Sequence, residues 1–209
     1  MNIVLIGAHG TLGTAVHTAL RERGHRVVTA SRTRADITLD ITDPASVRAM
    51  YDALDARAAA DPAEAVDAVA VAAGSVPWRP LEDLTADEVR QGLEGKAVSQ
   101  IELVRQGLHR LPAHASYTLV TGILAREPLR TGAVASLVNG AVEAFVRAAA
   151  VELPGRQRIN AVSPTVFEES LDAYGETFAG CDPVPVGRAA RAYVKSIEGH
   201  RTGEVFRVE

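Results

Sequence analysis

The 209-residue sequence predicts a single α/β domain, a doubly wound parallel sheet with helices on both faces, and three observations predict it. Short, continuously apolar runs alternate with segments of helical periodicity along the whole chain, the order expected of a parallel sheet with helical crossovers. A glycine-rich turn follows the first of these runs directly. No linker, repeat or low-complexity segment divides residues 1–209, and a chain of this length buries roughly 70% of its unfolded surface without help from metals or disulfides.

Asn2 to Ile6 (NIVLI) is continuously apolar rather than alternating, which suits a central strand covered on both faces. Ala15, Val16, Ala19 and Leu20 recur at helical spacing and Gly24 ends that helix. Arg26 to Ala30 then reads as a second strand, completing a βαβ unit. A short strand follows around Asp36 to Leu39, and a helix from about Pro44 to Ala60 has Asp43 as N-cap and Pro44 in its first turn. Val66 to Ala72 is the fourth strand. Helical periodicity runs from about Thr85 to Leu111 with an interruption near Gly92 and Gly95, and Tyr117 to Thr121 is a buried strand. The longest helix spans Ala133 to Ala150. Arg158 to Val162, a loop, a helix from Pro185 to Ser196 and a last strand from Glu204 to Val208 complete the order.

Composition narrows the function. The net charge is −4 and no Lys/Arg block occurs, so neither a nucleic-acid footprint nor a membrane-binding face is expected. The N-terminal apolar run ends at Ile6, too short for a signal peptide core or a membrane span. Cys181 is the only cysteine, so no intramolecular disulfide forms and a reducing, cytoplasmic location is expected. No HExxH, Cys/His cluster or Walker sequence is present, so no metal site is expected and the common metallohydrolase and NTPase readings fall away.

Gly7, Gly10 and Gly13 lie in GAHGTLG between the first strand and the first helix. Glycine there permits a tight turn and close backbone approach, and the helix N-terminus beyond it, at Thr11 and Leu12, suits the pyrophosphate of a dinucleotide. His9 adds a donor to the turn. An NAD site usually carries an acid about 20 residues further on for the ribose hydroxyls. This chain has Ser31 and Arg32 instead, and a guanidinium matches a 2′-phosphate where a carboxylate would repel it. The expected cofactor is NADP.

With these landmarks the sequence resembles the short-chain dehydrogenase/reductase family over nearly its whole length. The glycine turn matches the family's. Asp40 and Ile41, in LDITD, fall where the family holds an acid against the adenine amino group. Ala72, Ala73 and Gly74 resemble its Asn-Ala-Gly strand end. RINAVSP, ending at Pro164, resembles the segment whose following backbone, here Val166 and Phe167, contacts the nicotinamide carboxamide. The resemblance implies a Rossmann-type domain and hydride transfer to or from a small carbonyl or alcohol substrate.

The departures concern catalysis. The family uses a serine, a tyrosine and a lysine four residues after the tyrosine. Aligning ASLVNGAVEAF with its active-site helix puts Ala135 at the tyrosine and Asn139 at the lysine, with Thr121 and Gly122 near the serine. A proton donor with a tuned pKa is therefore missing, although Asn139 retains hydrogen-bonding capacity toward a ribose. Lys96 falls where the family has a helix asparagine, and its ammonium is the candidate replacement charge. Thr121 offers a hydroxyl at a strand end, and Tyr174 a phenol in the loop after Pro164. Glu168 and Glu169 read as first-turn helix acids, Ser136 faces away from its neighbour's direction, and Trp78, just after the Gly74 turn, either lines the pocket or packs as a loop aromatic. Two further readings stay open: a catalytically degenerate NADP-binding protein, and a related enzyme catalysing proton transfer or cyclisation without redox chemistry. The helices around Lys96–Arg110 and Ala133–Leu153 resemble those of the family's dimer interface, and Ala141, Ala144 and Ala148 allow close helix approach. A homodimer is expected.

Overall fold

The computed structural model describes all 209 residues. Its centre is a seven-stranded sheet, parallel throughout, in the order β3-β2-β1-β4-β5-β6-β7. The strands are β1 (Asn2–Ile6), β2 (Arg26–Ser31), β3 (Ile37–Thr38), β4 (Ala68–Val71), β5 (Ser116–Val120), β6 (Arg158–Pro164) and β7 (Val205–Val208). The chain winds outward from β1 to β3, returns to place β4 on the other side of β1, and winds outward again. This reversal opens a crevice at the C-terminal ends of β1 and β4, where ligands of open α/β sheets bind.

The apolar continuity of β1 follows from two cores. Val4 and Ile6 face one core with Val47, Met50, Tyr51 and Leu54 of helix α2 (Pro44–Ala60), Leu103 of α4 (Ser99–Gly107), and Val134, Val138, Val142 and Val146 of α5 (Ala133–Glu152). Ile3 and Leu5 face the other, against Val16 and Leu20 of α1 (Thr11–Glu22) and Ala189, Tyr193 and Ile197 of α7 (Val186–Glu198). Alternate side chains of a strand point to opposite faces, so a strand clothed on both sides has no room for polar alternation. The same packing accounts for α5, which is long and apolar enough to cross a membrane by length and composition while four of its valines lie buried against the sheet.

The predicted elements are present, with differences at their ends. β3 shrinks to two residues because it is an edge strand, pairing only Ala30 with Ile37 and Ser31 with Thr38. β6 runs on to Pro164 because β7 pairs with it that far. The interruption expected near Gly92 and Gly95 takes the form of a widened π turn, Leu93–Val98, between α3 (Ala86–Gly92) and α4. The loop after β6 holds two short turns, Glu168–Ser170 and α6 (Leu171–Tyr174). Periodicity carries no signal for segments this short. On the outer face, a groove of about 340 Å³ between α4 and α5 is lined by Ile101, Val104, Leu108, Phe145 and Leu153 among others.

Candidate active site

The glycine turn is built by backbone proximity. Gly7 has φ of +81°, and a Cβ there would lie 2.6 Å from the Ala72 carbonyl oxygen of the neighbouring strand end. A Cβ on Gly13 would collide with the Gly7 carbonyl. Gly10 differs, because the nearest atom to a Cβ built on it is 3.8 Å away. Nothing in the protein demands glycine at position 10, and the space it leaves lies before the first turn of α1, where no side chain caps the helix and no acid sits. Free N–H groups and the helix dipole favour an anion at such an end. His9 stands exposed on the turn.

A cavity of about 290 Å³ lies beside this turn, lined by Gly7, Ser31, Arg32, Asp40, Ile41, Ala73 and Gly74, together with Ile6, Leu39, Thr42, Ser75 and Gly95. Asp40 is organised by Thr42, whose hydroxyl and N–H both donate to Oδ1 at 2.7 and 2.9 Å. These hydrogen bonds, with a smaller contribution from Arg32, hold its carboxyl below the ordinary aspartate range. Arg32 is exposed and enters none of the protein's salt bridges.

A second cavity of about 590 Å³ shares Gly74 and Ser75 with the first and adds Thr11, Leu12, Val76, Trp78, Thr165, Val166, Phe167, Ser170, Tyr174 and Phe178. The two form one trough across the strand ends, with the N-terminus of α1 between them. Thr165 has a buried hydroxyl without a partner, and so does the Asn139 side-chain oxygen. Asn139 lies deep beside Gly122, where a Cβ would come 3.2 Å from its amide nitrogen. Ala135 is buried as well. Glu169 serves structure: its carboxylate accepts from the Val186 N–H at 2.9 Å and so holds the start of α7.

Lys96 sits in the π turn, behind Gly74 rather than on the wall of either cavity. A Cβ on Gly74 would meet its Cγ at 2.9 Å. Its Nζ donates to the Thr121 carbonyl at 3.4 Å, and burial pushes its pKa down to about 8. The position is notable in a chain with only two lysines, the other being Lys195. Gln100, one turn on, fixes the geometry. Its amide accepts from the Val120 N–H at 2.8 Å and donates to the carbonyls of Val120 and Lys96 at 2.9 and 3.1 Å. A side chain thereby ties the end of β5 to the helix that carries Lys96.

One expectation is corrected. The Thr121 hydroxyl does not face the trough; it donates to Glu143 Oε1 at 3.2 Å, an atom that also takes hydrogen bonds from Ser163 at 3.1 Å and Arg126 at 3.3 Å. A buried carboxylate needs several donors, and Thr121 is one of them. Only the Thr121 carbonyl remains on the Lys96 side. Pro164 lines neither cavity, its carbonyl lying 3.8 Å from a Cβ built on Gly122. Sequence reasoning missed Ser75, Thr165, Phe178, Gln100 and the Glu143 cluster. Ser75 follows Gly74 and Thr165 follows Pro164, so both adjoin segments the sequence singles out, whereas Phe178, Gln100 and the Glu143 cluster acquire their places through contacts distant in sequence.

Fold and site together define a Rossmann-type α/β domain with a trough across its strand ends. Residues 7–182 match the family profile described as enoyl-(acyl carrier protein) reductase, and the chain belongs to the short-chain dehydrogenase/reductase family. A Listeria innocua protein of solved structure is 42% identical over 100% of both chains, with a TM-score of 0.93. A small-chain dehydrogenase solved in complex with NADPH shares the fold at 24% identity and a TM-score of 0.85, covering 100% of this chain and 96% of that one. An oxidoreductase from Brucella ovis shares it at 21% identity and 0.81, over 100% and 99%. No curated protein matches the chain.

The two-lysine composition makes the Lys96 environment measurable. After reductive methylation with carbon-13, one of the two dimethyl-lysine signals should titrate with a midpoint near pH 8, far below the ordinary lysine value of about 10.4, and should vanish in Lys96→Met. Titration of both signals in the ordinary lysine range would refute a desolvated ammonium.

Proposed function

We propose that the protein is an NADP(H)-dependent oxidoreductase acting on a small carbonyl or alcohol substrate with a non-standard active site. The observation that carries this reading is the trough itself, with an unpaired Arg32 at one end, an open approach at Gly10 beside the helix N-terminus and the wall of Thr165, Val166 and Phe167 at the other. Family membership and the NADPH complex of a protein of the same fold support it. The residues fit the cofactor. Arg32 and Ser31 would hold the 2′-phosphate, Asp40 the adenine, the α1 N-terminus the pyrophosphate, Asn139 the nicotinamide ribose, and Val166 and Phe167 the carboxamide. NADPH supplies a hydride when bound.

The chain's own contribution is electrostatic. Lys96 places a cation behind Gly74, and because its pKa is about 8 that charge is present below this pH and lost as pH rises through it. Tyr174 is the only phenol on the trough and the available proton donor for a substrate oxygen. A second reading, a cofactor-binding protein without turnover, is favoured by the hydrogen bonding of Thr121 to Glu143, which engages the hydroxyl nearest the family's serine position. We also propose a homodimer through the groove between α4 and α5, a small soluble protein that meets its substrate in the cytoplasm.

Arg32→Ala should weaken NADPH binding about ten-fold, the equivalent of a charge-assisted contact worth about 1.5 kcal/mol, and leave NADH binding unchanged. Calorimetry showing equal NADH and NADPH affinity in the unmodified protein would remove the basis for an NADP preference. On a substrate that oxidises NADPH, Lys96→Ala should lower turnover by about 10²–10⁴-fold, the range of acid–base and charge effects, while NADPH affinity changes little. Turnover equal to the parent's would eliminate Lys96, and a complete absence of hydride transfer across a carbonyl screen would favour the second reading. Light scattering at micromolar concentration should give twice the 22.1 kDa chain mass; a monomer would rule out the dimer.

A further inference from the structure

The second cavity bears on what the protein acts on, an inference that rests on the oxidoreductase reading above. Aromatic residues make up only 4% of the chain, nine in all, yet Trp78, Phe167, Tyr174 and Phe178 line this one cavity. They come from separate segments, Trp78 from the loop after β4 and the others from the loop after β6. Trp78 and Phe178 meet edge to face, with centroids 6.2 Å apart and planes at 65°. Gly132 seats the indole, since a Cβ there would lie 3.4 Å from its ring. Trp78 and Tyr174 are nevertheless 36% and 49% exposed. Aromatic surface held in place but left in water around a concavity is favourable only when something covers it, and a ring offers its face to another ring.

Charge narrows the class of ligand. No Lys, Arg, Asp or Glu lines the cavity. The covering segment from Thr165 to Gly187 carries Glu168, Glu169, Asp172, Glu176 and Asp182 and neither lysine nor arginine. A substrate bearing a carboxylate or phosphate would find no counter-ion on the wall and a field of its own sign at the mouth. Thr165 and Ser170, also on the wall, are uncharged. We propose that the substrate is an uncharged aryl ketone, aldehyde or alcohol whose ring packs on Trp78, Tyr174 and Phe178.

Trp78 is the only tryptophan in the chain, so its emission reports on this cavity alone. In protein saturated with NADP⁺, acetophenone should quench that emission saturably. It should bind about ten-fold more tightly than cyclohexyl methyl ketone, measured by displacement, or 4-acetylbenzoate, a ratio at the upper end of what an aromatic contact contributes. Phe178→Leu and, separately, Tyr174→Leu should each narrow the preference for the aryl ketone over its cyclohexyl analogue about three-fold. Trp78→Phe, followed by calorimetry, should retain it. Having both leucine variants guards against one that fails to fold. Equal or tighter binding of the cyclohexyl ketone or the carboxylate, or no saturable binding of any of the three, overturns the proposal. NADPH titration of the same protein without ketone tests the oxidoreductase reading separately. Failure there, with the aryl preference intact in cofactor-free protein, would reject the cofactor and keep the ring selectivity.

Discussion

The backbone contact between Gly7 and Gly13 is the constraint on which the rest of the molecule depends. Neither position has room for a Cβ, so α1 can begin directly at the end of β1 with its N-terminal N–H groups turned toward the crevice. That placement coincides with the point where the sheet reverses direction, between β1 and β4. A helix end with unsatisfied donors and a gap between diverging connections are thus produced by one turn. The trough on either side follows from this geometry, with the β2 and β3 ends supplying one part of its wall and the β4 and β6 ends another.

Buried polar groups then decide how the far end of the trough behaves. Gln100 binds both the donor and the acceptor of Val120, and Glu143 gathers Thr121, Ser163 and Arg126. Both lock the ends of strands to helices, because a buried polar atom without a partner is costly. Their consequence for chemistry is selective. The Thr121 hydroxyl is withdrawn from the trough, whereas Lys96, with only a carbonyl at 3.4 Å, stays poorly solvated and has a lowered pKa. Asn139 Oδ1 and Thr165 Oγ1 lie buried without a partner, as does Ser136 Oγ on the same helix as Asn139.

The two ends of the trough differ in character. The Arg32 end presents a cation and an organised carboxylate, whereas the Tyr174 end presents four aromatic rings among uncharged residues under an acidic covering segment. Each end therefore favours its own chemistry, one anionic and polar and the other neutral and planar. Gly74, shared by both and pressed against Lys96, is where they meet.

The sequence by itself determined the fold class, the succession of strands and helices up to their ends, the glycine turn and the family, because these depend on local pattern: apolar runs, helical spacing, and glycine where no side chain fits. Asp40, Ala73 and Gly74 were legible for the same reason, as landmarks at a constant distance along the chain from strands that pair in register. Only the tertiary structure decided which way Thr121 points, since that depends on Glu143, 22 residues away on a different element. It alone showed Lys96, carried by the π turn, behind Gly74 rather than on the wall. It alone gathered Trp78 and Phe178, 100 residues apart, on one cavity. Local preference is written in neighbouring residues, but the partner of a buried hydroxyl or an exposed ring is chosen by the packing of the whole chain.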